Sequence, residues 1–182
     1  MILTGSAIGE AVKAGDIVIE PFNKDQLGPN SYDFRLGNRC KIYRDYQLDS
    51  AKENLTIDYD VGNDGILLDP CRVYLFNTLE TMGSTCYVPI IRGRSSVGRL
   101  GIFIDITADL IDIGSINQWT LQLHSVMPVR VYPGMLIGQV TFWKVEGEIL
   151  LYSGKYGKFQ SPVASLSFMD GGPDAVSSII TI

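Results

Sequence analysis

Short apolar runs recur along this chain, and each of them ends within a few residues at Gly, Pro, Asn or Asp. The runs are rich in Val, Ile, Leu, Tyr and Phe, as β-strands are, and they are shorter than ordinary helices. Many short strands separated by turn residues are typical of a sandwich, a jelly roll or a closed barrel, so the fold is predicted to be mainly β. We predict strands at 17–22, 30–37, 65–70, 73–78, 87–91, 102–107, 119–124, 129–132 and 136–144, with shorter candidates at 41–43 and 55–59 inside a polar, irregular excursion over 40–64.

One short helix is predicted near the start of the chain. Apolar residues recur at helical spacing from Ala7 to Val12, after a cap at Thr4 or Ser6, and Gly15 ends the pattern. No repeat and no Pro- or Ser-rich linker divides the sequence, so residues 1–182 are predicted to form a single domain. The Gly-rich end, over 152–160 and again over 169–174, indicates a flexible flap that begins at about residue 152.

Composition excludes several partners. The net charge is -5 and no long basic run is present, which argues against a nucleic-acid partner. No apolar run reaches the roughly 18 residues of a membrane span, so we expect no membrane contact and a cytoplasmic location, that of the host if the chain is viral. The three cysteines, Cys40, Cys71 and Cys86, lie far apart and without a C-x-x-C pair, and are predicted to be buried thiols.

The segment from Gly93 to Gly101 has the composition of an anion-binding turn. It reads Gly-Arg-Ser-Ser-Val-Gly-Arg-Leu-Gly and lies between two apolar runs. Glycines let the backbone approach a ligand, hydroxyls and N–H groups donate to oxyanions, and arginine adds a bidentate charge. A phosphate is the natural ligand for such a turn. A surface hairpin with solvated arginines is the alternative interpretation.

The sequence lacks the motifs that several classes of enzyme require. A zinc deaminase needs H-x-E and P-C-x-x-C, and neither motif is present. His124, the one histidine, lies in a predicted strand without a G-x-S-x-G elbow, so packing explains it better than a triad does. No Gly-rich phosphate loop of the Walker or dinucleotide type occurs. The remaining phosphate-compatible and acidic residues are dispersed and would converge across strands or subunits: Arg94, Ser95, Ser96, Arg99, Asp112 and Lys155.

Taken together, the motifs resemble the dCTP deaminase family of the dCTP deaminase/dUTPase superfamily. The resemblance covers most of the chain, and its blocks occur in the family's order. They are Met1-Ile2-Leu3; 21–25 with 28–33 and 36–37; 93–101; Thr107-Ala108 with Ile111-Asp112; 132–135 with 137–139; and Gly154-Lys155-Tyr156 with Gln160.

The resemblance implies a distorted β-barrel or jelly-roll-like subunit with short helices, in a homotrimer whose active sites lie between subunits. It also implies a pyrimidine deoxynucleoside triphosphate, dCTP or dUTP, bound with Mg²⁺ that phosphates and water hold, without zinc and without a direct protein ligand. The parent activity is the hydrolytic deamination of dCTP to dUTP and ammonia.

Site residues carry over only where this sequence matches the family. Arg94, Ser95 and Ser96 are expected to bind phosphates or order the attacking water, and Arg99 to orient the catalytic carboxylate and the base. The backbone at Thr107 and Ala108 is expected to read the pyrimidine edge, and Asp112 to meet the 3′-hydroxyl. The C-terminal residues expected to close over the nucleotide are Tyr152, Lys155, Tyr156 and Gln160.

The sequence departs from the family pattern at Gln122. Deaminases of the family carry T-L-E-L where this chain has Thr-Leu-Gln-Leu at 120–123, so an amide stands in the position of the general-base glutamate. An amide cannot accept the proton, and losing a general base typically lowers a rate by about 10² to 10⁴. The preceding turn, 112–117, also lacks the proline, the aromatic residue and the second glycine of the family's D-P-G-F-x-G turn.

Three hypotheses account for Gln122. It is an engineered substitution that traps a substrate complex in a dCTP deaminase, or it is natural in a dUTP diphosphatase. In that second case Asp112 activates the water and no glutamate is needed at 122. In the third, the chain is a nucleotide-binding or regulatory homologue that has lost the chemistry.

Overall fold

The computed structural model of the protein describes residues 1–157 and 159–170. Strands dominate it, as predicted. The helices are α1 (Gly5–Ala14) and α2 (Ser95–Gly98), with 3₁₀ turns at Lys24–Gln26 and Ser167–Asp170. The strands are β1 (Ile17–Glu20), β2 (Tyr32–Tyr43), β3 (Thr56–Asp60), β4 (Ile66–Leu68), β5 (Tyr74–Thr78), β6 (Thr81–Ser84), β7 (Tyr87–Gly93), β8 (Ile102–Phe103), β9 (Thr120–Ser125), β10 (Val129–Val131) and β11 (Leu136–Lys144).

One large antiparallel sheet carries most of the fold. Its strand order is β7-β11-β2-β5-β9-β8, and β3 pairs with the far half of β2. β2 is long enough to pair with β11 through residues 32–35 and with β3 and β5 through 36–43, which bends the sheet toward a barrel. Two further antiparallel pairs, β1 with β6 and β10 with β4, form separate two-stranded sheets. The mainly β, barrel-like prediction is confirmed.

The core lies inside this curved sheet. Alternate residues of the strands point into it, as period-two patterns require. On β2, for example, Tyr32, Phe34 and Leu36 are fully buried while Asp33 and Arg35 between them are not. Fully buried side chains from other strands complete the core, among them Phe76, Met82, Ile91, Leu121 and Phe142.

Helix α1 has the boundaries that its sequence predicts. The Thr4 hydroxyl accepts a hydrogen bond from the Ala7 N–H, and Gly15 ends the helix in the left-handed region with a φ of 82°. That conformation favours glycine, since it has no Cβ to clash. Ile8 and Ala11 are buried in the core, and α1 packs against β1.

Three differences from the predicted elements have structural reasons. β2 runs on to Tyr43 because β3 and β5 flank it on both sides, so part of the expected excursion is regular sheet. β8 ends at Phe103, and residues 104–111 cross β7, where the Ile91 N–H donates to the Asp109 carbonyl. β6, which the sequence pattern does not predict, pairs with β1.

The predicted flap includes residues 158 and 171–182, which lie outside the described residues.

The cysteine prediction is correct for one of the three thiols. Cys40 is buried, and desolvation by this burial raises its thiol pKa to about 12. Cys71 is exposed and Cys86 is partly exposed, contrary to the expectation, because both lie in turns at the sheet edge.

Across residues 1–157 and 159–170, no helix has the length and apolar character needed to span a membrane.

An ion pair inside the fold ties β2 to the turn before β6. Glu80 is fully buried, and its carboxylate accepts hydrogen bonds from the Arg35 backbone N–H at 2.9 Å and the Arg35 Nε at 2.7 Å. Gln26 Nε2 donates to the same carboxylate at 3.4 Å. These three donors compensate the burial of the charge, which would otherwise be costly.

Candidate functional site

A cavity of about 380 Å³ opens beside β9, within the size range of small-molecule sites. Its walls are largely apolar and aromatic, and a few polar side chains interrupt them. The aromatic part comprises Tyr43, Trp119, Tyr152, Tyr156 and Phe159, and the polar part Asp112, Ser115, Asn117, Gln118, Thr120, Gln122 and Ser165. Flat apolar walls with a few hydrogen-bonding groups suit an aromatic base with a polar edge.

Asp112 lies on a tightly held turn at the cavity rim. On one side the Ile111 N–H donates to Pro89 O at 3.0 Å, and on the other the Gly114 N–H donates to Ser84 O at 2.8 Å. Gly114 has a φ of 92°, and a Cβ there would lie 3.0 Å from Leu151 and Tyr152 atoms, so glycine is required. The turn fixes the Asp112 backbone while its carboxylate is exposed.

Gln122 reaches the cavity because β9 alternates. Leu121 and Leu123 are fully buried in the core, so Gln122 between them faces the other side. Its Nε2 donates to the Thr120 carbonyl at 3.3 Å. The strand register, in which Gln122 pairs with Leu75 of β5, holds the amide at this wall.

The described C-terminal residues, 152–157 and 159–167, form the outer wall, and side-chain hydroxyls hold them. The Val163 N–H donates to Thr120 Oγ1 at 3.1 Å, and the Ser165 N–H donates to the Tyr43 hydroxyl at 2.9 Å. At the start of the segment the Tyr152 N–H donates to Ile113 O at 2.8 Å. The segment thus contacts the Asp112 turn, β9 and β2 of its own chain.

The Gly93–Gly101 segment folds as one helical turn, α2, away from this cavity. Arg94 Nε lies 3.0 Å from a carboxylate oxygen of Asp33, whose other oxygen accepts a hydrogen bond from Gln139 Nε2 at 2.8 Å. Ser95, Ser96 and Arg99 are exposed. None of these residues is among those that line the cavity. The described part of the chain therefore places this segment and the cavity apart from each other.

The other residues named from the sequence divide between these regions. Ala108 lines the cavity, whereas the adjacent Thr107 is exposed and does not. Lys155 donates to Leu166 O at 3.0 Å and pairs with Asp170, with its Nζ 5.5 Å from the Tyr156 ring centre. Gln160 is exposed and outside the lining. The cavity brings together Ala108, Asp112, Gln122, Tyr152 and Tyr156.

Charged side chains lie close together around the loop that carries Thr107 and Ala108. Burial raises the pKa of the Asp105 carboxyl, the nearby Asp109 carboxylate raises it further, and Arg92 acts in the opposite direction. Arg92 also forms an ion pair with Asp109. This pair holds the loop against β7, next to the cavity.

Several residues of the site were not found by sequence reasoning. Tyr43 ends the short strand candidate 41–43, and its local pattern gives no sign of a place in the cavity wall. Phe159 and the stretch from Val163 to Ser165 carry no local motif, since their role depends on long-range folding.

Among the described residues, no three or more His, Cys, Asp or Glu side chains group as metal ligands would.

Comparison with known proteins finds relatives along most of the chain. A family model described as dCTP deaminase-like matches residues 2–145. A Hathewaya histolytica protein named "dCTP deaminase, dUMP-forming" is 44% identical over 171 residues, which are 93% of this chain and 99% of that protein. A Clostridium acetobutylicum protein of the same name is 42% identical, over 93% of this chain and 98% of its own length.

Solved structures agree at the level of the fold. The crystal structure of 2′-deoxycytidine 5′-triphosphate deaminase from Agrobacterium tumefaciens matches with a TM-score of 0.61 and 23% identity, over 78% of this chain and 47% of that one. The match to the family over most of the chain, together with relatives above 40% identity along almost their whole length, establishes the assignment. The chain belongs to the dCTP deaminase-like family.

Proposed function

We propose that this protein converts dUTP to dUMP and diphosphate, with Asp112 activating the attacking water. Its curated relatives are named for dUMP formation, whereas the sequence resemblance led us to expect dUTP as the product of deamination. Water attacks the α-phosphorus, the bond from that phosphorus to the bridging oxygen breaks, and diphosphate leaves. Asp112 takes the proton from the water.

The observation that carries this proposal is that Asp112 and Gln122 line the same cavity. Of these two polar groups, the carboxylate can accept a proton and the amide cannot. Deamination of dCTP, which needs a base at residue 122, is therefore disfavoured. Hydrolysis of dUTP, which needs a base at residue 112, keeps that base.

Deamination of dCTP is the second candidate. The relatives' names include dCTP deaminase, and the chain aligns with them over nearly their full length. Gln122 has the shape of the glutamate expected at its position, so the pocket could retain dCTP while the amide slows the reaction.

Magnesium is part of the proposal as an ion that arrives with the triphosphate. The Asp33 carboxylate beside Arg94 already contacts Arg94 Nε and Gln139 Nε2 through its two oxygens. No protein ligand is therefore assigned to the ion, and phosphate oxygens and water, which suit Mg²⁺, would hold it. Once bound, the ion would neutralise charge on the leaving diphosphate.

Product analysis tests the proposal. The protein is incubated separately with dUTP and dCTP in the presence of Mg²⁺, and the products are separated by chromatography. We expect dUMP from dUTP and slow or undetectable conversion of dCTP. The Gln122→Glu variant is expected to deaminate dCTP. Nucleotide binding without any product would favour the regulatory homologue and overturn the proposal.

We infer that each complete site combines two subunits of a homotrimer. The cavity lies on one surface, the cationic segment with Arg94 and Arg99 lies apart from it, and Ser95 and Ser96 are exposed. Apolar side chains near that segment are at least half exposed, which suits a face that another copy covers. They are Leu100, Phe103, Ile106, Val126 and Met127.

The proposal of a trimer with sites shared between subunits can be tested by particle mass and by mixing two inactive variants. Three chains of 20.1 kDa give a particle of about 60 kDa, measurable by light scattering after gel filtration. Arg94→Ala and Asp112→Asn should each be nearly inactive alone. After unfolding and refolding together in equal amounts, they should recover about a quarter of the wild-type rate, because random assembly joins an intact Arg94 with an intact Asp112 at that frequency.

The control for this mixing experiment is each variant refolded alone. Activity in the mixture no higher than in the separate variants, with trimers present, would place both residues in one subunit's site.

A further inference from the structure

We propose that the side chains of Ser115 and Asn117 bind the polar edge of the pyrimidine, and that they serve uracil and cytosine alike because the hydrogen bond between them can reverse. This inference rests on the proposed function, since it concerns the base of the nucleotide in that cavity. Both residues line the cavity, and only 9% of Ser115 and 8% of Asn117 is exposed.

Both residues lie in the turn where the sequence departs from the family pattern D-P-G-F-x-G. Ser115 stands in the place of the aromatic residue, and Asn117 stands in the place of the second glycine. The departure therefore brings two hydrogen-bonding side chains to a wall where the pattern has an apolar ring and a bare backbone.

The backbone of this turn is fixed, so only the side chains can adjust. The Asn117 N–H donates to Met82 O at 3.1 Å, and the Met82 N–H donates back to Asn117 O at 3.0 Å. The Ser115 N–H donates to Asp112 O at 3.0 Å, and Ser115 O accepts from Trp119 Nε1 at 3.4 Å. These contacts hold both residues at the cavity wall whichever way their side chains turn.

Asn117 uses one end of its amide within the protein. Its Nδ2 donates to Ser115 Oγ at 3.3 Å. Among the described residues, no partner contacts Asn117 Oδ1, and the one side-chain atom there that is both sealed from solvent and unpartnered is Ser125 Oγ. The open end of the Asn117 amide is therefore accessible at the cavity wall, where a ligand can satisfy it.

The contact between the two side chains can form in either direction. A serine hydroxyl both donates and accepts, and an amide carries a donor at one end and an acceptor at the other. When Asn117 donates to Ser115, its Oδ1 is open to a ligand. When the amide is turned and the hydroxyl donates to Oδ1, Nδ2 is open instead. Gln122 lacks this freedom, because its Nε2 donates to the Thr120 carbonyl, which can only accept.

Uracil and cytosine need opposite groups from the wall at each position of their polar edge. Uracil presents an N3–H donor beside the O4 acceptor, whereas cytosine presents the N3 acceptor beside the N4 amino donor. A wall group that contacts N3 must accept from uracil and donate to cytosine, and one that contacts position 4 must do the reverse. An amide of fixed direction leaves one base with an unpaired buried group, which is costly, whereas the reversible pair satisfies both bases.

Binding measurements with three probes test the inference separately from catalysis. The probes are the α,β-imido forms of dUTP, of dCTP and of an abasic deoxyribose triphosphate, none of which can release diphosphate. Calorimetric titration with Mg²⁺ gives their dissociation constants, and chromatography of the recovered dCTP probe checks that its amino group is retained.

Asn117→Leu keeps the size of the side chain and removes both hydrogen-bonding groups. We expect it to weaken the uracil and cytosine probes about 5- to 100-fold, by factors that agree within about threefold, because each base loses one buried hydrogen bond. The abasic probe should bind as it does to the wild-type protein. Asn63→Leu, in an exposed loop outside the cavity, should change none of the three dissociation constants.

Asn117→Gly repeats the test with the glycine of the family turn and serves if the leucine variant does not fold. Weakening of only one base-bearing probe would indicate an amide of fixed direction and overturn the inference. Equal weakening of the abasic probe, or no weakening at all, would overturn it as well, because the pair would then not contact the base. If the expected pattern appears but wild-type protein does not hydrolyse dUTP, the base contact stands and the proposed reaction fails. If dUTP is hydrolysed without that pattern, the reverse holds.

Discussion

Replacing Asp112 by Asn is expected to lower the rate of dUMP formation from dUTP by about 10² to 10⁴. Asparagine has the shape of aspartate and keeps the Asp112 turn, whose backbone hydrogen bonds to Pro89 and Ser84 do not involve the side chain. It cannot accept the proton of the attacking water. The loss should therefore appear in kcat, measured by the release of diphosphate at saturating dUTP.

Asp64→Asn provides the matched control for this variant. Asp64 is exposed, lies outside the cavity and undergoes the same chemical change. Calorimetric titration with the α,β-imido analogue of dUTP, which cannot release diphosphate, shows whether Asp112→Asn still binds nucleotide. If kcat is unchanged and only KM rises, Asp112 contacts the sugar, as in the deaminase hypothesis, and is not the base for dUTP hydrolysis.

Removing the buried carboxylate of Glu80 is expected to destabilise the fold by about 3–5 kcal/mol. In Glu80→Ala, the backbone N–H and Nε of Arg35 both lose their acceptor, and the guanidinium is left mostly buried without a counter-charge. For a chain of this length we expect the midpoint of thermal unfolding to fall by about 6–20 °C. Circular dichroism at one fixed protein concentration measures it, because assembly links stability to concentration.

Two further variants make this result interpretable. Glu80→Gln keeps the size of the side chain and one acceptor, so it should fall between wild type and Glu80→Ala and remain measurable if the alanine variant does not fold. Glu10→Ala removes an exposed partner of Lys13 and should leave the midpoint unchanged. A Glu80→Ala midpoint equal to that of the wild-type protein would show that the pair contributes no net stability.

The sequence predicts the strands well where their residues alternate. The 30–37 run places Tyr32, Phe34 and Leu36 on one face, and the structure buries all three. Helix α1 was predicted equally well, since its cap and its terminating Gly15 act locally. β6 was missed because Thr81–Ser84 has no apolar alternation, and its partner β1 lies more than sixty residues earlier in the chain.

The candidate site was predictable only in part. The Arg-Ser-Ser segment and Asp112 stand out as chemical groups in a recognisable order, and Gln122 stands out as a departure. Arg94 meeting Asp33 could not be foreseen, because that contact depends on β2 and β7 both flanking β11. Similarly, Tyr43 and Val163 approach one cavity only after the chain has returned across the sheet.

The attachment of the outer wall affects how this protein can diverge in evolution. The described residues of the outer wall, 152–157 and 159–167, contact the sheet through the hydroxyls of Tyr43 and Thr120, and they add no strand to it. Its own side chains can therefore be exchanged without disturbing the register of β9, which positions Gln122. A lineage can thus change the outer wall of the cavity while the inner scaffold stays the same, so that new substrate preferences can arise at little cost to folding.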